Sequence, residues 1–263
     1  METSMEFVLY EKKDHIATIT VNRPQVFNAY SLQVLSELME ALDTADKDTD
    51  VRCVIYTAVG EKAFSAGGDI KYENTMNGKQ AYEFSKLGQG LTRKVYSLRC
   101  PVIIAARGYC LGAGMEVMLT ADYIIVAKGA SIGLPTIKLG YVSGFGGSVM
   151  LPQLIGHRAT KKLLMTGKSL TAEEALELGI VDEVVEPEDL LPAAQKYAEE
   201  IASKAPLAIE KTKKIVNFAL ASHLEDAFEL ESQMFGSCFD TEDRLNAATA
   251  FIEHRKPDPF YRR

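Results

Sequence analysis

Apolar and polar positions alternate from Phe7 to Tyr10 and again from Ile16 to Val21. That period predicts two short strands, joined by the polar turn Lys12-Lys13-Asp14-His15. Asn22-Arg23-Pro24 ends the second strand, because proline cannot donate to a ladder. Ser31 is then placed to cap a helix that carries Leu32, Leu35, Leu38, Met39 and Leu42 on one face. Continuous apolar runs at 51–56, 102–106 and 123–126 predict buried strands, with helices between them over about 79–98 and 113–120. Strand and helix alternate, which predicts an α/β fold with mostly parallel pairing.

Beyond about residue 157 the pattern becomes largely helical. Thr171-Ala172-Glu173-Glu174 has the form of a capping box, and Ile180 to Val185 predicts one more strand. Pro187-Glu188-Asp189 opens a further helix, and 206–254 reads as three helices. We therefore divide the chain into a core, 1–200, and a helical C-terminal region, 201–263, that docks on the core or on a neighbouring subunit.

Composition narrows the class. The 263 residues hold 29 Lys+Arg against 36 Asp+Glu, a net charge of −7, which argues against sequence-blind nucleic-acid binding. No apolar run reaches the roughly 18 residues of a membrane span, and the first 15 residues lack the basic and apolar parts of a signal peptide. Four widely spaced cysteines, Cys53, Cys100, Cys110 and Cys238, with no C-x-x-C, point to reduced thiols and a cytoplasmic location.

Familiar catalytic signatures fail. Gly167-Lys168-Ser169 lacks the earlier glycine of a P-loop, since Lys162 stands there, and Gly144-Phe145-Gly146 meets Val149 where a dinucleotide fingerprint needs glycine. The four histidines have no metal-ligand spacing, so no metal is expected, and no G-x-S-x-G elbow occurs.

Two glycine-rich turns and one acid remain. In Ala63-Phe64-Ser65-Ala66-Gly67-Gly68-Asp69-Ile70-Lys71, small residues allow close approach to the main chain, and Asp69 is placed to cap a helical turn. Gly108-Tyr109-Cys110-Leu111-Gly112-Ala113-Gly114-Met115-Glu116 leaves the 102–106 strand and opens a helix, whose first amides have no internal acceptor. Each turn is either a tight connection or the source of one N–H for a developing oxyanion. Glu116 lies in an otherwise apolar helix, where a carboxylate is costly unless it is paired structurally or performs acid/base work. Asp122 reads as structural, tying the helix end to a turn.

These residues resemble the enoyl-CoA hydratase/isomerase (crotonase) family. The resemblance runs nearly end to end. Beyond the two glycine turns it includes Asn22-Arg23-Pro24, Asn28-Ala29, Leu134-Pro135-Thr136, Lys138-Leu139-Gly140 and Gly146-Gly147. It closes on Thr166-Gly167-Lys168, Ala172-x-x-Ala175, Gly179-Ile180-Val181 and Phe251-Ile252-Glu253-His254-Arg255-Lys256-Pro257.

The resemblance implies a spiral of ββα units with a C-terminal helical trimerisation region, assembled as a homotrimer or homohexamer. It implies an acyl-CoA substrate whose carbonyl oxygen sits between the amides of Gly68 and Ala113, with no cofactor beyond the CoA of the substrate. Ala66, Gly68, Asp69, Ile70 and Lys71 would line the CoA, and Arg23 would meet its phosphates. Glu116 falls on one of the two catalytic glutamates of the family's hydratases. The second position holds Thr136, whose hydroxyl can orient water but cannot exchange a proton as a carboxyl does. Tyr141 and Ser143, on a loop where other branches place catalytic groups, are candidates to assist. The expected activity is addition of water to, or its removal from, a 2-enoyl-CoA or dienoyl-CoA thioester. The alternatives are a cyclic ketoacyl-CoA C–C hydrolase, an enoyl-CoA isomerase, or a catalytically weak CoA-binding scaffold.

Overall fold

A computed structural model of the chain describes residues 5–263. Strands β1 (Val8–Lys13) and β2 (Ile16–Val21) form an antiparallel hairpin in which Lys13 faces Ile16. The turn is therefore only Asp14-His15, shorter than the expected Lys12–His15, and Asp14 adopts the left-handed φ of 53° that such a turn demands. Strands β3 (Cys53–Ala58), β5 (Val102–Ala106), β7 (Tyr123–Ala127) and β10 (Glu183–Val185) follow β2 in parallel, giving a six-stranded sheet β1-β2-β3-β5-β7-β10.

Alternation within these strands explains their continuous apolar character. Val54, Tyr56, Val102, Ile104 and Ala106 face the larger core with helix α1 (Leu32–Lys47) and helix α3 (Gly78–Ser97). Cys53, Ile55, Ile103 and Ala105 face the opposite side, against α7 (Leu190–Ala202). There Leu190, Ala194, Ala198 and Ala202 recur at helical spacing, so both faces of the sheet are dry. The caps anticipated for two helices form: Ser31 accepts from the Val34 amide, and Thr171 and Glu174 close a capping box on α6 (Ala172–Glu177).

A second sheet, which the period-2 pattern does not reveal, is built from very short strands. They are β4 (Ala63–Ser65), β6 (Tyr109–Leu111), β8 (Ser131–Gly133) and β9 (Leu170–Thr171). The pairs β3–β4, β5–β6 and β7–β8 each give one strand to either sheet, the winding that the resemblance implies. Helix α5 (Gly147–Thr166) starts ten residues before the expected 157, because the Gly146-Gly147 pair disguises its beginning. Its two segments meet at Gly156, whose φ of 74° and ψ of 161° are not helical.

The C-terminal helices are α8 (Pro206–Ala219), α9 (Leu224–Phe239) and α10 (Glu242–Ile252). Lys213 fastens α8 to the core by donating to Asp122 at 2.6 Å and to the Cys100 carbonyl at 3.1 Å. Asp122 also accepts from the Val102 amide at 2.8 Å, so it joins a strand to the C-terminal region rather than closing a local turn. Lys213→Ala would leave the Asp122 carboxylate without its cation, and thermal or urea unfolding should register a loss of about 3 kcal/mol. Among the described residues no helix is long and apolar enough to cross a membrane.

Candidate active site

Parallel pairing places the two glycine turns side by side. Strands β4, β6 and β8 are neighbours and run in one direction, so the segments that follow them leave from the same edge. Those segments are Gly67-Gly68, Gly112-Ala113 and Pro135-Thr136. The close fit needs glycine: a Cβ on Gly67, where φ is 108°, would stand 3.2 Å from the Leu111 carbonyl oxygen and 3.4 Å from the Ala113 nitrogen. A Cβ on Gly114 would lie 2.7 Å from that of Ser65, so helix α4 (Ala113–Met118) can abut β4 only without a side chain there.

Main-chain pairing also decides which amides stay free. Tyr30 donates to the Gly67 carbonyl at 2.8 Å and accepts from the Asp69 amide at 3.0 Å. In extended chain successive N–H groups point to opposite sides, so the Gly68 amide faces away from Tyr30. Gly112 donates to Gly133 at 2.9 Å, and Ala113 begins α4. No hydrogen bond among the described residues takes up the N–H of Gly68 or of Ala113. Both residues line one cavity of about 580 Å³. Two unpartnered donors at the edge of a cavity can receive one oxyanion.

Glu116 enters the same cavity from the first turn of α4. It is 2% exposed, and its Oε1 accepts from the amides of Phe145 at 2.9 Å and Gly147 at 2.8 Å. Burial raises its pKa; the amides of residues 144–147 oppose that rise without cancelling it. Gly147 is fitted to the acid, since a Cβ there would lie 2.9 Å from Glu116 Cγ. Both hydrogen bonds fall on Oε1, so Oε2 is the oxygen available to a water or a substrate hydroxyl. A buried carboxyl whose pKa is raised is a candidate for proton exchange with a ligand in the cavity.

Thr136, Tyr141 and Ser143 line the cavity as well. Thr136 sits in a short 3-10 turn, Pro135–Leu139, which carries it past the end of β8. The buried Ser143 hydroxyl oxygen has no hydrogen-bond partner, which leaves it a vacant donor and acceptor beside the ligand space. Tyr141 donates to Glu73 Oε2 at 2.7 Å. Burial, that hydrogen bond and the Glu73 charge push its phenol well up, so it remains a proton-bearing donor. Apolar side chains, Met76, Phe84, Leu139, Val142 and Phe145, complete the wall.

Of the residues assigned to CoA, Ala66, Gly68 and Ile70 reach the cavity, whereas Asp69, Lys71 and Arg23 are not part of its lining. Arg23 donates to Asp69 at 2.8 Å and to the Ala29 carbonyl at 3.2 Å. Burial would raise the Asp69 pKa, but the Arg23 guanidinium, helped by the Tyr72 and Lys71 amides, outweighs it and holds the carboxyl below its usual value. The Asp69 side chain consequently serves this ion pair and makes no capping hydrogen bond to α2 (Ile70–Glu73). Lys71 is exposed on α2. Glu73 is an ionisable lining residue that the sequence does not single out. Nothing in Ile70-Lys71-Tyr72-Glu73 distinguishes it from a solvated acid, and only its tertiary position does.

The sequence and the fold are similar to those of known proteins. The profile of the family described as Enoyl-CoA hydratase/isomerase matches residues 11–261. A short-chain-enoyl-CoA hydratase of Clostridium acetobutylicum is 38% identical over 256 residues, covering 97% of this chain and 98% of the relative. A crotonyl-CoA hydratase of Syntrophomonas wolfei is 38% identical over 251 residues, covering 95% and 96% of the two chains. The crystal structure of an enoyl-CoA hydratase from Bacillus anthracis superposes with a TM-score of 0.94 at 34% identity, over 98% of this chain and 100% of that one. The chain belongs to the enoyl-CoA hydratase/isomerase family.

Proposed function

We propose that the protein catalyses the reversible addition of water to a 2-enoyl-CoA thioester. The observation that carries this reading is the arrangement of Glu116 and the free amides of Gly68 and Ala113 around one cavity. The thioester oxygen accepts from the two amides, which draws electron density from the conjugated double bond and makes the β-carbon electrophilic. Glu116, as carboxylate, takes a proton from water while the water oxygen bonds to that carbon. The electron pair of the double bond moves toward the carbonyl, and the two amides hold the resulting enolate. The enolate then takes a proton at its α-carbon. In the reverse direction Glu116 returns its proton to the departing hydroxide.

The names of the Clostridium and Syntrophomonas relatives support hydration of a short, unbranched chain. The apolar wall of Met76, Leu139 and Val142 supports an aliphatic acyl group. The reading calls for no cofactor beyond the CoA of the substrate. Exposed aromatic and aliphatic side chains on α8–α10, among them Phe235 at 65% and Phe251 at 82%, support assembly through the C-terminal helices as a trimer or hexamer. The free thiols Cys53, Cys100, Cys110 and Cys238 support a cytoplasmic location.

The test is a panel of enoyl, dienoyl and cyclic ketoacyl thioesters followed by mass and by loss of enoyl absorbance. Gain of one water with the thioester intact is the expected result. Release of free CoA, or double-bond migration without a change of mass, would contradict hydration. Tight CoA binding without turnover would make the protein a scaffold.

A further inference from the structure

We propose that Glu73 is the second carboxylate of this active site, the group that exchanges a proton with the α-carbon of the acyl thioester, and that Tyr141 is its positioning residue. The inference rests on the hydratase reading in naming which proton moves. Hydration takes one proton from water and delivers one to the α-carbon, and the threonine at position 136 cannot serve as a second acid/base group for the latter. The cavity nevertheless contains a second carboxyl, delivered by another element. Glu73 ends α2 and lines the same cavity as Glu116.

Its carboxyl lies against the oxyanion site. A Cβ built on Gly68 would stand 1.8 Å from Glu73 Oε1 and 2.8 Å from its carboxyl carbon. The absence of a side chain at Gly68 is thus what makes room for the acid beside an amide of the oxyanion pair. A thioester oxygen accepting from the Gly68 amide has its carbonyl carbon one bond away and its α-carbon two, so the acid and the α-carbon share one corner of the cavity. The other carboxylate oxygen, Oε2, is held by the Tyr141 hydroxyl at 2.7 Å. No ion pair or other hydrogen bond to the Glu73 side chain occurs among the described residues, and Oε1 is left for the substrate. Glu73 and Tyr141 come from segments 68 residues apart in the chain and meet where both line the cavity, which sets Glu73 apart from an acid that faces solvent alone.

The chemistry balances. In dehydration the Glu73 carboxylate takes the α-proton of a 3-hydroxyacyl thioester, and the C–H electron pair becomes the enolate held by Gly68 and Ala113. The enolate pair then forms the double bond as the β-C–O bond breaks, and the Glu116 carboxyl protonates the departing hydroxide to water. The proton on Glu73 returns to Glu116 through cavity water, which restores both groups. Hydration is the same sequence reversed.

Deuterium incorporation at the α-carbon of butyryl-CoA in D2O isolates this step, because that thioester can be neither hydrated nor dehydrated. The wild-type protein should exchange the α-proton, and Glu73→Gln should slow exchange by about a hundredfold or more with CoA affinity unchanged. Glu116→Gln should retain exchange. Tyr141→Phe should slow exchange about tenfold, and the double variant should be no slower than Glu73→Gln alone, since both act through one carboxylate. A purely structural Tyr141 would give additive losses. Exchange that survives Glu73→Gln, that is lost instead in Glu116→Gln, or that is absent in the wild-type protein would overturn the proposal. Exchange that depends on Glu73 in a protein unable to hydrate any enoyl thioester would refute the hydratase reading and leave the assignment of Glu73 standing.

Discussion

Replacing Glu116 by Gln is expected to lower crotonyl-CoA hydration by roughly 10²–10⁴, the usual contribution of one acid/base group, while CoA affinity is retained. The substitution is isosteric, and the Gln carbonyl oxygen can still accept from the Phe145 and Gly147 amides that hold Oε1. What it removes is the capacity to accept a proton from water. Stability should respond in the opposite sense to activity. Burial raises the Glu116 pKa in the folded protein above its ordinary value. The group's favourable contribution is therefore complete at pH values below the ordinary glutamate pKa and is lost as pH rises through the raised one. At neutral pH the glutamine variant should melt no lower than the wild type. The same raised pKa predicts that kcat/KM falls as pH drops through it, because the base must be ionised. A pH–rate profile whose acid limb lay at or below the ordinary glutamate pKa, or a glutamine variant with near-normal turnover, would remove Glu116 from the role of base.

Ala113→Pro addresses the other half of the machinery. Ala113 is the first residue of α4, the one helical position where proline is well tolerated, because the amide it lacks has no intrahelical acceptor. That missing amide is, however, one of the two proposed donors to the thioester oxygen. Loss of a single oxyanion donor typically lowers kcat by about 10²–10³. The variant should therefore fold, bind CoA and lose turnover to that extent, a combination that packing defects rarely produce. Circular dichroism, CoA titration and steady-state kinetics together read it. Turnover within a few-fold of wild type in a folded Ala113→Pro protein would mean that the carbonyl oxygen sits elsewhere.

The parts of this molecule that local chemistry dictates were legible in the sequence. The 102–106 strand was readable because both its faces are buried, and the Ser31 and Thr171 caps because side chain and amide lie three residues apart. Glu116 stood out as a charge in an apolar run. The second sheet was not legible, since strands of two or three residues such as β4 and β9 are too short to display a period. They exist because the longer sheet beside them fixes where each turn of the chain passes. The start of α5 was hidden by glycine at 147, which is present to accommodate Glu116 rather than to favour a helix. Glu73 shows the same limit at the site. Its neighbours in sequence are polar and unremarkable, and its meaning lies in its contact with Gly68 and Tyr141, which come from different loops. Arg23 and Asp69 illustrate the converse, because each looked available for a ligand and the fold engages them with one another.

The proposed chemistry turns on Gly68 and Ala113 together receiving the oxygen of an acyl thioester. A crystal structure of the protein with acetoacetyl-CoA measures this directly. The thioester oxygen should lie about 2.7–3.1 Å from both main-chain nitrogens, with the acyl chain directed past Glu116. A bound thioester whose oxygen lies beyond hydrogen-bond distance of either nitrogen would contradict it.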